Sequence, residues 1–134
     1  MTDEKSTVRR LRPDARAKRR VLVVEDHLDS VHSTMALPRA MGHEVDFAIN
    51  GFAAIDAARR FAPDVILLDI NPPDFRGDKL ARQLKYEPGL ENMRIIAPTG
   101  LPLSEVRPLA LAAGCEEVYA KPLAPSLLEE LLRK

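Results

Sequence analysis

The chain has 134 residues, 46% hydrophobic and 30% charged, with a formal net charge of zero. This length suits one domain with a real core, and no apolar run approaches the ~20 residues that a membrane-spanning helix needs. The single cysteine, Cys115, excludes an internal disulfide, and with no apolar leader behind the basic start the expected setting is a reducing cytoplasm.

The zero net charge conceals a division. Residues 1–20 carry eight basic side chains against three acidic ones, a net of +5, so the other 114 residues carry −5. A basic stretch with few apolar residues reads as a poorly ordered tail, with the folded domain over 21–134. The competing reading of this tail is a contact for nucleic acid or for an acidic partner surface, which the absence of aromatic residues among the charges disfavours; nucleic-acid binding is not expected elsewhere in the chain.

From Val21 the elements follow regularly. "VLVVED" (21–26) reads as a strand, and Leu28, Val31, Met35 and Leu37 give helical spacing over 28–41. Gly42-His43 ends that helix, "EVDFA" (44–48) alternates as a strand, Asn50-Gly51 turns, and 52–61 is helical again. "DVILLD" (64–69), "RIIA" (94–97) and "EVYA" (117–120) predict three more strands, and 77–86, 104–113 and 125–133 three more helices. Pro38 and Pro108 fall inside predicted helices and should kink them or shorten their starts. Strand-helix alternation, with strands 1, 3 and 4 continuously apolar, predicts an α/β domain whose parallel sheet is covered on both faces.

Open sheets of this kind bind ligands beyond the carboxyl ends of their strands. Glu25 and Asp26 end strand 1, Asp69 ends strand 3, Thr99 follows strand 4, and Lys121 with Pro122 follows strand 5. If strands 1 and 3 are neighbours, three carboxylates converge, and a cation must offset their repulsion. Oxygen ligands suit a hard divalent ion, Mg2+ best, because a zinc site would want histidines and thiolates. His27, His32 and His43 show no metal-site spacing, and Cys115 has no basic neighbour to make it reactive. Carboxylate, metal, lysine and hydroxyl around one point are the parts phosphoryl transfer requires.

"VLVVED", "DVILLDINPPDFRG", "IIAPTG" and "VYAKPL", in this order, resemble the receiver domain of two-component response regulators over about residues 21–133. The resemblance implies a flavodoxin-like, doubly wound (βα)5 fold with five parallel strands in the order 2-1-3-4-5. It implies Mg2+-dependent transfer of a phosphoryl group to Asp69 from the phosphohistidine of a histidine kinase or histidine phosphotransfer protein. Asp26 would bind the metal directly, Glu25 through water, and Asn71 through its main-chain carbonyl. Thr99 and Lys121 would grip the phosphoryl oxygens, with the Lys121-Pro122 bond cis.

The chain also departs from the family. Val118 stands where an aromatic residue usually links phosphorylation to output, and Tyr119, one position on, should face the other side of the sheet. Pro98 costs strand 4 a ladder bond unless the strand is ending there. Pro72 replaces a common apolar residue beside Pro73, and Arg76 a frequent acid. Leu101 cannot orient an attacking water, so slow hydrolysis of the aspartyl phosphate is expected.

The sequence ends after the fifth helix with no output domain following, so the expectation is either output by protein contact, with a downstream partner or a second copy, or a receiver cut from a larger hybrid kinase. As a receiver, the domain would be a signalling element that catalyses only its own phosphorylation and dephosphorylation. Two other readings compete. A pseudo-receiver would act as a phosphorylation-independent interaction or dimerisation module, as the missing aromatic suggests. A small phosphatase would need a second carboxylate two residues after Asp69, where Asn71 stands.

Overall fold

A computed structural model describes residues 18–70 and 77–134; the expected tail up to residue 17, and Asn71, Pro72, Pro73 and Arg76, lie outside them. Strand and helix alternate: β1 (Arg20–Val24), α1 (Leu28–Ala40), β2 (Glu44–Ala48), α2 (Gly51–Phe61), β3 (Val65–Leu68), α3 (Gly77–Lys85), β4 (Arg94–Thr99), α4 (Leu103–Ala112), β5 (Glu117–Ala120) and α5 (Pro125–Arg133). The strands form one parallel sheet in the order β2-β1-β3-β4-β5, as expected.

Strand alternation divides the core in two. Leu22, Val24, Ile66, Leu68, Ile95 and Ala97 pack against α2, α3 and α4. Val21, Val23, Val65, Leu67 and Ile96 point the other way, onto Val31 and Met35 of α1 and Leu128, Leu131 and Leu132 of α5. Burial on both faces is why β1 and β3 read as unbroken apolar runs.

Several boundaries differ from the sequence reading. The folded body starts before Val21: Arg20 opens β1, its Nε donates to Phe61 O (2.7 Å), and its guanidinium lies 4.3 Å from the Phe61 ring centroid. Arg19 donates to Leu132 O and Arg133 O (2.8 and 2.9 Å), while Arg94 reaches Leu131 O (2.7 Å), so two arginines cap the carbonyls closing α5. Asn50 caps α2 through Ala53 N (2.8 Å) and does not form a free turn with Gly51. β3 stops at Leu68, leaving Asp69 as the first residue beyond it.

β4 continues through Pro98 to Thr99, past the expected end at Ala97. Its pairing with β3 stops at Leu67↔Ile96, and Pro98 pairs only across to Tyr119 of β5. The ladder toward β3 has therefore ended where the missing N–H would interrupt it. Neither helix proline shortens its helix: α1 runs through Pro38 to Ala40, and α4 begins five residues before Pro108. Among the described residues no helix is long and apolar enough to cross a membrane.

Candidate functional site

β1 and β3 run level, Val24 opposite Leu68, so the next residue of each strand surfaces at the same edge. The ladder continues just past the strands: Asp69 N donates to Val24 O (3.0 Å), Glu25 N to Ala48 O (3.0 Å), and Lys121 N to Thr99 O (2.9 Å). These bonds fix where the side chains leave the backbone. Behind Asp69, a Cβ on Gly77 would lie 2.7 Å from the Ile70 Cα, so only glycine lets α3 start this close to the loop.

Glu25, Asp69 and Thr99 are the buried polar side chains among the described residues. Lys121 joins the two carboxylates, its Nζ lying 3.0 and 3.1 Å from Glu25 Oε1 and Oε2 and 2.8 Å from Asp69 Oδ2. Burial, reinforced by the facing Asp69 and opposed by Lys121, pushes the Glu25 carboxyl up to about 7. Burial works against the Lys121 ammonium, but Asp69 and Glu25 outweigh it and raise its pKa above the ordinary lysine value.

Asp26 completes the cluster: one oxygen from each of Glu25, Asp26 and Asp69 lies within 4.8 Å of the others. It does not cap α1, because His27 holds that position without a side-chain bond. Its Oδ1 is buried with no hydrogen-bond partner among the described residues, and His27 Nε2, at 3.7 Å, is beyond bonding distance. A buried carboxylate oxygen without a donor needs a cation. The donor set is all oxygen, which fits a hard divalent ion. Among the described residues this is the one such grouping of potential ligands.

Thr99 is fully buried at the end of β4, beside Lys121 through the backbone, and its Oγ1 accepts from Leu101 N (3.0 Å). The Lys121-Pro122 peptide is cis. Asn71 lies outside the described residues. Val118 packs in the core layer under α4 and Tyr119 against the α1 and α5 layer, so the tyrosine occupies the opposite face of the sheet. Cys115 is buried, its thiol pushed up to about 11 by desolvation, in keeping with an unreactive side chain.

The sequence reading missed a cleft of about 340 Å³ between α1 and the segment joining β5 to α5, reaching Glu25, Asp69 and Lys121. Ser30, Ser33, Thr34 and Leu37 line its α1 side. Their i, i+3, i+4, i+7 spacing was a readable signal, since it puts small hydroxyl residues on one helix face beside apolar ones.

The family model of the response regulator receiver domain matches residues 21–133. Over 112 residues the chain is 31% identical to the polar-differentiation response regulator DivK of Brucella anthropi, covering 83% of this chain and 91% of that protein. It is 35% identical over 119 residues to the hybrid signal transduction histidine kinase M of Dictyostelium discoideum, covering 85% of this chain but only 5% of the kinase. Among solved structures it is similar to the receiver domain of the sensor histidine kinase PA1611 of Pseudomonas aeruginosa, which carries a magnesium ion coordinated in its active-site cleft. The TM-score is 0.78 at 29% identity, covering 87% of this chain and 96% of that one.

Proposed function

Because the chain belongs to the response regulator receiver family, whose members are signalling domains of two-component systems, we propose that Asp69 accepts a phosphoryl group from a partner's phosphohistidine. The observation carrying this reading is the buried Asp69, bonded to Lys121 and converging with Glu25 and Asp26 on an oxygen-lined cradle. An Asp69 carboxylate oxygen forms a bond to phosphorus as the phosphorus–nitrogen bond of the donor imidazole breaks. The electron pair stays on the imidazole nitrogen, which takes a proton from water. Lys121, held 2.8 Å from Asp69 Oδ2, then meets a phosphoryl oxygen, and the Thr99 hydroxyl gives a second contact.

Asp26 and Asp69 would hold Mg2+ directly, Glu25 through water, and Asn71 through its carbonyl. When bound, the ion neutralises charge on the transferring group. The donor is a histidine kinase or histidine phosphotransfer protein in the cytoplasm, and output runs by contact with a downstream protein. The chain acts on no separate substrate: Asp69 is modified and reset. The complete acidic cluster supports this reading over a phosphorylation-independent module, which rests on Val118.

Incubation with acetyl phosphate tests the proposal by intact mass. The expected result is a Mg2+-dependent gain of one phosphoryl group that Asp69→Asn abolishes. No gain with Mg2+, or an equal gain in Asp69→Asn, overturns it.

A further inference from the structure

The cleft of about 340 Å³ beside α1 is not the metal cradle, since Asp26 does not line it. It lies on the α1 side of Glu25 and Asp69, with Val23, Leu67, Leu123 and Leu128 as apolar walls. Across from them Ser30, Ser33 and Thr34 are too short to fill the space, which larger side chains at these helix positions would close. The cleft opens to solvent beside the exposed Asp29 and Ser33, so a molecule bound there would displace water from its apolar walls. Pockets for small molecules begin at about 300 Å³ and combine apolar walls with few polar groups.

The charges select the occupant. Glu25, Asp29 and Asp69 line the cleft against a single cation, Lys121, whose ammonium already donates to Glu25 and Asp69. Asp29 stands exposed at the start of α1, with no ion pair among the described residues. We propose that this cleft binds a small organic cation, an ammonium carried on an arylalkyl body. The charged end faces Asp29, and the hydrocarbon lies between the hydroxyl face of α1 and Leu123 and Leu128. The ligand would contact the Glu25–Lys121 pair from behind and so give the acidic site a small-molecule input. The inference does not depend on phosphorylation of Asp69.

The test is a titration of the isotope-labelled full chain in EDTA with phenethylamine, 2-phenylethanol and ethylamine, followed by amide shifts. Phenethylamine should shift Ser30, Ser33, Thr34, Leu123 and Leu128 and bind at about 1 mM or tighter. The neutral alcohol should bind at least about tenfold more weakly, through loss of the charge contact. Ethylamine should also bind at least about tenfold more weakly, because each buried methylene is worth up to about fourfold. Ser33→Leu, which fills the cleft from an exposed helix position, should weaken phenethylamine at least about tenfold while the circular dichroism spectrum is unchanged. Asp29→Asn, a surface change, gives a second reading and should weaken the amine but not the alcohol. Equal binding of amine and alcohol, equal binding of ethylamine and phenethylamine, shifts confined to the acidic cluster, or full affinity in both variants would each overturn the proposal.

Discussion

Raising the pH should weaken the metal-free protein, and the weakening should run through Glu25. Its carboxyl is buried, and its pKa rises from an ordinary 4.5 to about 7 in the fold. A group that holds its proton more tightly when folded contributes its full stability below 4.5 and loses it as the pH climbs through 7. At about 1.36 kcal/mol per pH unit the loss is about 3 kcal/mol at most, a large share of a typical domain's stability. His43 works the other way: burial and the nearby Arg19 lower its pKa, so it adds stability as the pH rises through its ordinary 6.5. The informative quantity is therefore the difference from Glu25→Gln, whose amide oxygen still accepts from Lys121 but cannot titrate. Urea unfolding in EDTA from about pH 5 to about pH 8 should show the native chain losing about 1–3 kcal/mol more than the variant. Excess Mg2+ should shrink that difference by favouring the ionised carboxylate. Parallel profiles for the two proteins would refute the reasoning.

Leu101, 46% exposed beside Thr99, offers no group to orient water, so Leu101→Glu should shorten the aspartyl-phosphate half-life several-fold; a native half-life no longer than the variant's sinks the idea. Gly77→Ala places a Cβ 2.7 Å from the Ile70 Cα and should cost about 1–3 kcal/mol in urea unfolding, along with Mg2+ affinity at the adjoining Asp69. Arg94→Met removes the donor to Leu131 O and the paired bonds to Glu116 (2.7 and 2.9 Å), and should cost about 1–2 kcal/mol with faster amide exchange at the end of α5. Ala62, which closes α2 at φ 51, is in a conformation that glycine adopts freely; Ala62→Gly should stabilise by about 0.5–1 kcal/mol, read as a higher urea midpoint.

The strand ends were the most legible part of the site. Apolar runs such as Val65–Leu68 stop where the chain reaches solvent, so the polar residues that follow mark the sheet's carboxyl edge without any knowledge of strand order. Boundaries near Pro98 and Arg20 were less legible, because a proline or arginine is locally compatible with both strand and loop. Only pairing across to Tyr119, or the bonds of Arg20 to Phe61 O and to the Glu44 carboxylate, decides which.

The alternation of elements, and hence the α/β class, is local information: it rests on the period of apolar residues and on caps and breakers within a few positions. The sequence alone therefore determined which residues could meet at one edge. The tertiary structure decided that they do, because adjacency of β1 and β3 and the reach of Lys121 to a glutamate 96 residues away depend on how helices cover both faces of the sheet. The same packing brought the segment joining β5 to α5 across from the short side chains of α1, so that Leu123 and Leu128 wall the cleft opposite Ser30 and Ser33. That meeting is not written in any local stretch, since it is set by side chains that are distant in sequence and come together only after folding.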